Sequence, residues 1–196
     1  MSGVLSLEVA DRIVDAALVA AREQGYPPMA VVVLDAGGHV LVAKRDERAA
    51  IGRVEIAMGK AHGCLAMGFG GRELARRAEA VPQFFTAIGA LLPHGMVPVA
   101  GGVLIRDSSA GVVGSVGISG GTSDEDDVCA VAGIHAAGLV PDTGDPPPSS
   151  TPATNDPTTA TGDPPPSSTP AINDPTTATG GSTTSSSAEK PPRSST

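Results

Sequence analysis

Hydrophobic residues recur along the first 140 positions with the periods of helices and strands. Residues 7–24 place their apolar side chains on one face of a helix, which Ser6 can cap and Gly25 can end. Residues 29–34 form an apolar, β-branched run, and turn residues separate it from a second run at 40–43. The two runs predict a β-hairpin that follows a first helix.

The remaining elements follow in the same way from helical spacing and from short β-branched runs. They are helices at 53–67, 72–79 and 82–92, strands at 99–105 and 112–119, and a last helix at 124–137. Because the strands are joined as hairpins, a simple parallel sheet is excluded. The fold class is therefore predicted as α+β, an antiparallel sheet with flanking helices.

After Val140 the composition changes abruptly, which predicts a domain at 1–140 and a tail at 141–196. Thirteen of the 18 prolines lie in the tail. An 18-residue sequence at 143–160 is repeated at 161–178 with one difference, Thr154 against Ile172. Because so few apolar residues cannot bury a core, we predict a disordered tail rich in Pro, Ser and Thr. A solubilising extension, a modified stalk and a proline-rich ligand for a partner are the roles open to it.

The charge balance and the scarcity of aromatic residues narrow the functional classes. The chain has 13 Lys and Arg against 21 Asp and Glu, no Trp, and 2% aromatic residues. It therefore lacks the basic and stacking side chains of a nucleic-acid-binding surface. No apolar run is long enough to cross a bilayer and no signal segment opens the sequence. We therefore expect a cytoplasmic protein without a membrane partner.

A glycine-rich segment, residues 114–121, joins the last predicted strand to the last helix. Glycines before a helix N-terminus resemble an anion cradle, but the acidic run that starts at Asp124 would repel a phosphate. In the simplest interpretation Ser123 caps the helix and the acids complement its dipole. In the alternative interpretation the strand forms the floor of a ligand pocket.

Lys60 and His62 lie two residues apart in the helix predicted at 53–67, so they point to different faces. His62 shares its face with Met58, which makes His62 a candidate axial ligand for haem; a structural histidine is the alternative. Arg45 or Lys60 could bind the carboxylate of a small organic acid or of a porphyrin propionate.

A series of short motifs extends through the domain. They are AVVVLDAGG at 30–38, RD at 45–46, AMGKA at 57–61, GG at 101–102, VGSVGISG at 113–120, DE at 124–125 and AG at 132–133. In this order they resemble the GlcG/HbpS-like haem-binding proteins, whose domain also occurs at the C-terminus of PduO-type proteins. The resemblance covers residues 5–139. It implies a profilin- or PAS-like sheet flanked by helices, assembly into homo-oligomers, and haem binding in some members.

The leading hypothesis is an oligomeric, non-catalytic small-molecule binding protein, with haem as the ligand that the resemblance implies. His62 is its candidate metal ligand, and the residues expected to line the site are Arg45, Lys60, His62, Gly117, Ser119, Gly120 and Gly121.

Two other hypotheses stay open. In the first, the protein is an enzyme of tautomerase, isomerase or lyase type that acts on a small organic acid. Lys60 would then serve as acid, base or carboxylate anchor, with help from Asp35 or Asp124. In the second, the protein is a scaffold that displays proline-rich tails.

Overall fold

The computed structural model describes residues 3–146, which form five α-helices and five β-strands. The fold class is α+β, as predicted. In chain order the elements are α1 Leu7–Glu23, β1 Ala30–Asp35, β2 Val40–Arg45, α2 Arg53–Met67, α3 Gly71–Ala80, α4 Pro82–Leu91, β3 Gly102–Arg106, β4 Val112–Ser119, α5 Ser123–Ala136 and β5 Val140–Asp142. The disorder predicted for the tail concerns, from residue 147 onward, positions outside the described residues.

The five strands form one antiparallel sheet in the order β2-β1-β4-β3-β5. The sequence predicts four of them, and the fifth crosses the domain boundary predicted at residue 140. In β5, Val140 pairs with Arg106 and Asp142 pairs with Leu104. A three-residue strand has no readable period, and Pro141 resembles the tail in composition. Proline is tolerated here because β5 is an edge strand.

Side chains of β1 alternate between two helical layers. Val31 and Val33 pack with α1 and α5 on one side of the sheet, whereas Val32 and Leu34 pack with α2 on the other. A strand buried on both faces is expected to be continuously apolar, as this one is. Within residues 3–146 no helix is long and apolar enough to cross a membrane.

Side-chain caps start the first and last helices. Ser6 accepts a hydrogen bond from the Val9 amide and caps α1, as predicted. The cap of α5 is Thr122 instead of the predicted Ser123. Thr122 and Glu125 form a reciprocal capping box, in which each side chain accepts from the other residue's backbone N–H. The Thr-x-x-Glu spacing was the signal for this cap.

Helix α2 packs directly on the glycines of β4. A Cβ atom at Gly117 would overlap the carbonyl oxygen of Ala57 and would lie 2.8 Å from the amide nitrogen of Ala61. On the same side of the sheet, the hydroxyl of Ser115 donates to the carbonyl of Ala61 at 3.0 Å. Only a residue without a side chain at position 117 lets the helix backbone approach this closely.

Gly117→Ala is expected to lower the free energy of unfolding by about 1–3 kcal/mol, because the added methyl group forces α2 away from the sheet. The matched control is Gly89→Ala in α4. There a Cβ would meet the Met96 side chain at an ordinary 4.0 Å, and alanine favours a helix over glycine by about 0.5–1 kcal/mol. Urea denaturation measures both changes. An unchanged midpoint for Gly117→Ala would contradict the packing argument.

Candidate functional site

A buried ion pair joins α2 to α5 near one end of the sheet. The Nζ atom of Lys60 lies 2.7 Å from Oδ2 of Asp126, and the two side chains are 4% and 2% exposed. The other carboxylate oxygen of Asp126 accepts a hydrogen bond from the Gly121 amide at 3.0 Å. Burial raises the pKa of the Asp126 carboxyl, and the hydrogen bond from Lys60 offsets part of that rise.

Glycine at position 101 leaves the space that this ion pair occupies. A Cβ there would lie 2.6 Å from Cβ of Asp126 and 2.8 Å from Nζ of Lys60. The backbone at Gly101 also has φ +92°, a conformation that favours glycine. Gly101, the first glycine of the Gly-Gly motif at 101–102, therefore makes room for Lys60 and Asp126.

The next acid in α5, Asp127, connects this helix to α3. Asp127 accepts from the Gly101 amide at 3.0 Å and from Nε of Arg72, in α3, at 2.9 Å. Asp124, one of the two acids that the enzyme hypothesis offered to assist Lys60, is 83% exposed and lies 3.5 Å from Arg72. Sequence reasoning missed Asp126 and Asp127 as buried partners. Their spacing from the buried Ala130 was the available signal, since residues three and four apart share a helix face.

Ser119 lies at the end of β4 that is closer to this ion pair. Its hydroxyl oxygen accepts from Nη1 of Arg53 at 3.2 Å, and Arg53 was not among the predicted site residues. The positive charge of Arg53 also acts to lower the pKa of the Asp126 carboxyl. Gly120 packs against the backbone of Pro28 and Met29, where a Cβ would lie within 2.7 Å of both. Gly117 and Gly120, which the sequence predicted as part of the floor of a ligand pocket, therefore pack against other parts of the protein.

Two other predicted residues lie apart from Lys60. Arg45 donates through Nη1 to the carbonyls of Asp46 and Ala49, so its guanidinium closes the loop after β2. Asp35, the last residue of β1, accepts from the amides of Gly37 and His39 in the turn that follows. The hydrogen bond from the His39 amide, above all, lowers the pKa of Asp35.

The strand register shows the separation of Asp35 from the ion pair. Asp35 pairs with Gly114, whereas Ser119 pairs with Ala30 at the other end of β1. Five residues of extended strand separate the two ends, or about 17 Å. The structure therefore places Asp35 at the end of the sheet away from Lys60, and it places Asp124, the other acid named in the enzyme hypothesis, beside Arg72.

His62 occupies a different environment from Lys60, as their spacing on the helix predicts. Its ring meets the ring of His94 edge to face, with 5.1 Å between centroids. Its Nδ1 is buried and has no hydrogen-bond partner within residues 3–146. The opposite edge of the ring faces Gly38, where a Cβ would lie 3.7 Å from Cδ2 and 3.9 Å from Nε2. A side chain at position 38 would cover this edge.

The protonation state of His62 suits metal ligation. Burial lowers the pKa of its imidazole, a contact with the backbone of Gly95 opposes this, and the charge of His94 lowers the pKa further. His62 is therefore neutral at neutral pH, and only a neutral imidazole nitrogen binds a metal.

An open groove of about 420 Å³ lies beside the two histidines, lined by Val54, Glu55, Met58, Pro93 and His94. Imidazole nitrogen and thioether sulfur are the usual protein ligands of haem iron, and a porphyrin needs only one or two of them. No group of three or more His, Cys, Asp or Glu residues in the described range could hold a free metal ion. The donors at this groove therefore fit haem better than a bare metal ion.

The fold and the groove together define an α+β domain with a surface groove that His94 lines and that His62 adjoins through the ring of His94. A model of the HbpS-like haem-degrading proteins matches residues 5–135, two thirds of the chain. The chain belongs to this HbpS-like family, which confirms the resemblance seen in the sequence motifs.

Solved structures agree with this assignment. PduOC, solved as a complex with haem, is 25% identical over 70% of this chain and 97% of that chain, with a TM-score of 0.62. HbpS is 29% identical over 69% of this chain and 91% of that chain, with a TM-score of 0.60. The Klebsiella pneumoniae protein ORFY, at 23% identity and a TM-score of 0.60, covers 68% of this chain and 90% of that chain and shows the fold alone. None of the curated proteins compared with the chain matches it.

Removing one partner of the buried ion pair is expected to destabilise the protein strongly. Lys60→Met and Asp126→Asn should each cost about 3–5 kcal/mol of unfolding free energy, because an unpaired polar group is left buried. The double variant should lose less than the sum of the two. As a control, Arg12→Met breaks an exposed pair with Glu8 and should cost less than about 1 kcal/mol. Additive losses in the double variant would contradict the pairing.

Proposed function

We propose that the protein binds haem in the groove beside α2, where His62 would offer a nitrogen ligand to the iron. The observation that carries the proposal is the half-buried, neutral imidazole of His62, which has an unpartnered Nδ1 and lies against the ring of His94. The structural likeness to PduOC, which was solved with haem, supports the choice of ligand. Bound haem would supply an iron centre for redox chemistry or for binding a small ligand.

Different residues in or beside the groove would contact the iron and the porphyrin ring. His62 offers a neutral nitrogen, and Met58 and His94 are the nearest further donors. Val54 and Pro93 give apolar surface to the ring. Glycine at position 38 leaves the imidazole edge of His62 uncovered. Lys60 and Arg45, the predicted propionate anchors, donate to Asp126 and to loop carbonyls, so we assign them to the scaffold of this site.

The finer hypotheses from the sequence stay predictions. They are assembly into homo-oligomers, a cytoplasmic location, an enzyme acting on a small organic acid, and a scaffold that displays proline-rich tails. The buried ion pair of Lys60 gives the enzyme hypothesis no specific support, because the nitrogen it needs as an acid or base contacts Asp126.

A haem titration followed at the Soret band tests the proposal. The wild type is expected to shift the band at micromolar haem, and His62→Ala should lose most of the shift because the iron loses its ligand. The control is His135→Ala, an exposed histidine in α5 on the other side of the sheet; it should titrate like the wild type. No shift in the wild type, or an equal shift in His62→Ala, would contradict the proposal. Turnover of bound haem would register as bleaching of the band.

Haem affinity should also depend on pH in a defined direction. Because the pKa of His62 is lowered from 6.5, protons compete with iron only below that value. Affinity is therefore expected to stay constant from pH 8 to about 6.5 and to fall at lower pH. The same titration at several pH values measures this, with His62→Ala as the background. A loss of affinity centred above pH 6.5 would contradict the assigned ligand.

A further inference from the structure

The residues that follow β5 are bound to the N-terminal half of α3. The backbone amide of Arg72 donates to the carbonyl of Thr143 at 2.9 Å, and the Arg76 guanidinium donates to the carbonyl of Gly144. The N-cap residue of α3 is Gly70, which has no side chain to accept from an amide. The carbonyl of Thr143 therefore satisfies a helix N–H that an N-cap side chain usually satisfies.

Two glycines allow this close contact between backbones. A Cβ atom at Gly70 would overlap the backbone of Thr143 and Gly144. Gly144 has φ +82°, and a Cβ there would lie 2.8 Å from the amide nitrogen of Glu73 and 2.8 Å from the carbonyl oxygen of Gly70. A side chain at position 144 would therefore meet both strain and overlap, so this surface of α3 requires glycine there.

The side chains on either side of Gly144 complete a compact turn that faces two arginines. The Thr143 hydroxyl donates to Oδ2 of Asp145 at 3.1 Å and accepts from the Asp145 amide at 3.4 Å. The Asp145 carboxylate also lies 3.4 Å from Nε of Arg72 and 3.9 Å from Nη1 of Arg76. Because each exposed ion pair contributes little, recognition depends on the whole Thr-Gly-Asp turn and not on one contact.

A groove of about 650 Å³ borders this turn, and Phe69, Arg106 and Pro146 are among the residues that line it. The Arg77 guanidinium stacks on the Phe69 ring, 3.9 Å from its centroid. Aromatic side chains in a groove are a common means of binding proline-rich segments. Pro146 directly follows Asp145 and borders the same groove as Phe69. The motif held at α3 therefore reads Thr-Gly-Asp-Pro.

The chain contains a second example of this motif. The six residues TGDPPP at 143–148 recur unchanged at 161–166, a range outside the described residues. Every residue that holds the first motif to α3 through these contacts therefore has an identical counterpart in the second. The residue before the motif differs, since Asp142 is replaced by Ala160. Asp142 belongs to β5 and pairs with Arg106 at 2.8 Å, which favours the first motif in the intact chain.

We propose that this surface of α3 is a binding site for the Thr-Gly-Asp-Pro motif, and that residues 161–164 of the same chain occupy it when residues 143–146 are displaced. The exchange leaves a loop of 18 residues, 143–160, between β5 and the site, and the entropic cost of closing a loop rises only slowly with its length. Covalent attachment gives the second motif an effective concentration on the order of millimolar. The repeat thus duplicates a docking motif for the chain's own domain.

Hydrogen exchange at the Arg72 amide of the full chain tests whether the second motif takes over the site. Gly144→Val displaces the first motif, and Gly144→Val/Gly162→Val disables both. The double variant should exchange at least about twofold faster than Gly144→Val, since a second motif present at its Kd already halves the open population. Equal rates in these two variants would overturn the proposal.

The third, incomplete repeat supplies the control. It reads TGG at 179–181, with glycine in place of the acid that faces the two arginines. Gly144→Val/Gly180→Val should therefore exchange like Gly144→Val, whereas an acceleration equal to that of Gly144→Val/Gly162→Val would contradict recognition of the motif.

A synthetic peptide of residues 160–166, ATGDPPP, tests the binding site directly. It is added to Gly144→Val/Gly162→Val, which should keep the wild-type circular dichroism spectrum because position 144 lies after β5. The peptide should shift the NMR signals of the Arg72 and Glu73 amides. The control is the same peptide with Gly162→Val, which cannot adopt the turn and should leave these signals unchanged. No shift with the first peptide, or an equal shift with the control, would overturn the proposal.

Discussion

The arrangement of the helices depends on two carboxylates, Asp126 and Asp127, that are buried near the N-terminus of α5. Asp126 holds Lys60 of α2, and Asp127 holds both Arg72 of α3 and the amide of Gly101. Because α5 lies on one side of the sheet and α2 on the other, these contacts join the two helical layers around the end of the sheet. A buried charge without its partner is costly, so each of these acids restricts where α2 and α3 can lie.

This constraint also determines which face of α2 is available to a ligand. Lys60 must point toward Asp126, and each residue of a helix turns by about 100° from the one before. His62, two positions later, is therefore directed away from the ion pair, toward the β1–β2 turn and the loop at His94. One short helix thus has a scaffold function on one face and the candidate ligand site on another.

The sequence predicts elements well where burial imposes a period and poorly where contacts join distant segments. The bounds of α2 and β4 agree with their predicted ranges, because buried residues recur regularly in both. Strand β5 has three residues and a proline, and only its pairing with β3 reveals it. In the same way, the helical period could place Asp126 on a buried face, but it could not identify Lys60, 66 residues away, as the partner. Arg45 contacts backbone carbonyls, which have no sequence signature.

The motifs that carry the family resemblance lie mostly in the scaffold. Gly101 leaves space for the ion pair, and Gly117 lets α2 approach β4. The ion pair of Lys60 with Asp126 joins the two helical layers. Contacts of this kind specify a fold, and one fold can serve many ligands. His62 and His94 lie outside these motifs. Family membership therefore accounts for the architecture, whereas the proposal of haem also depends on His62, a half-buried, neutral imidazole beside the groove with one open edge.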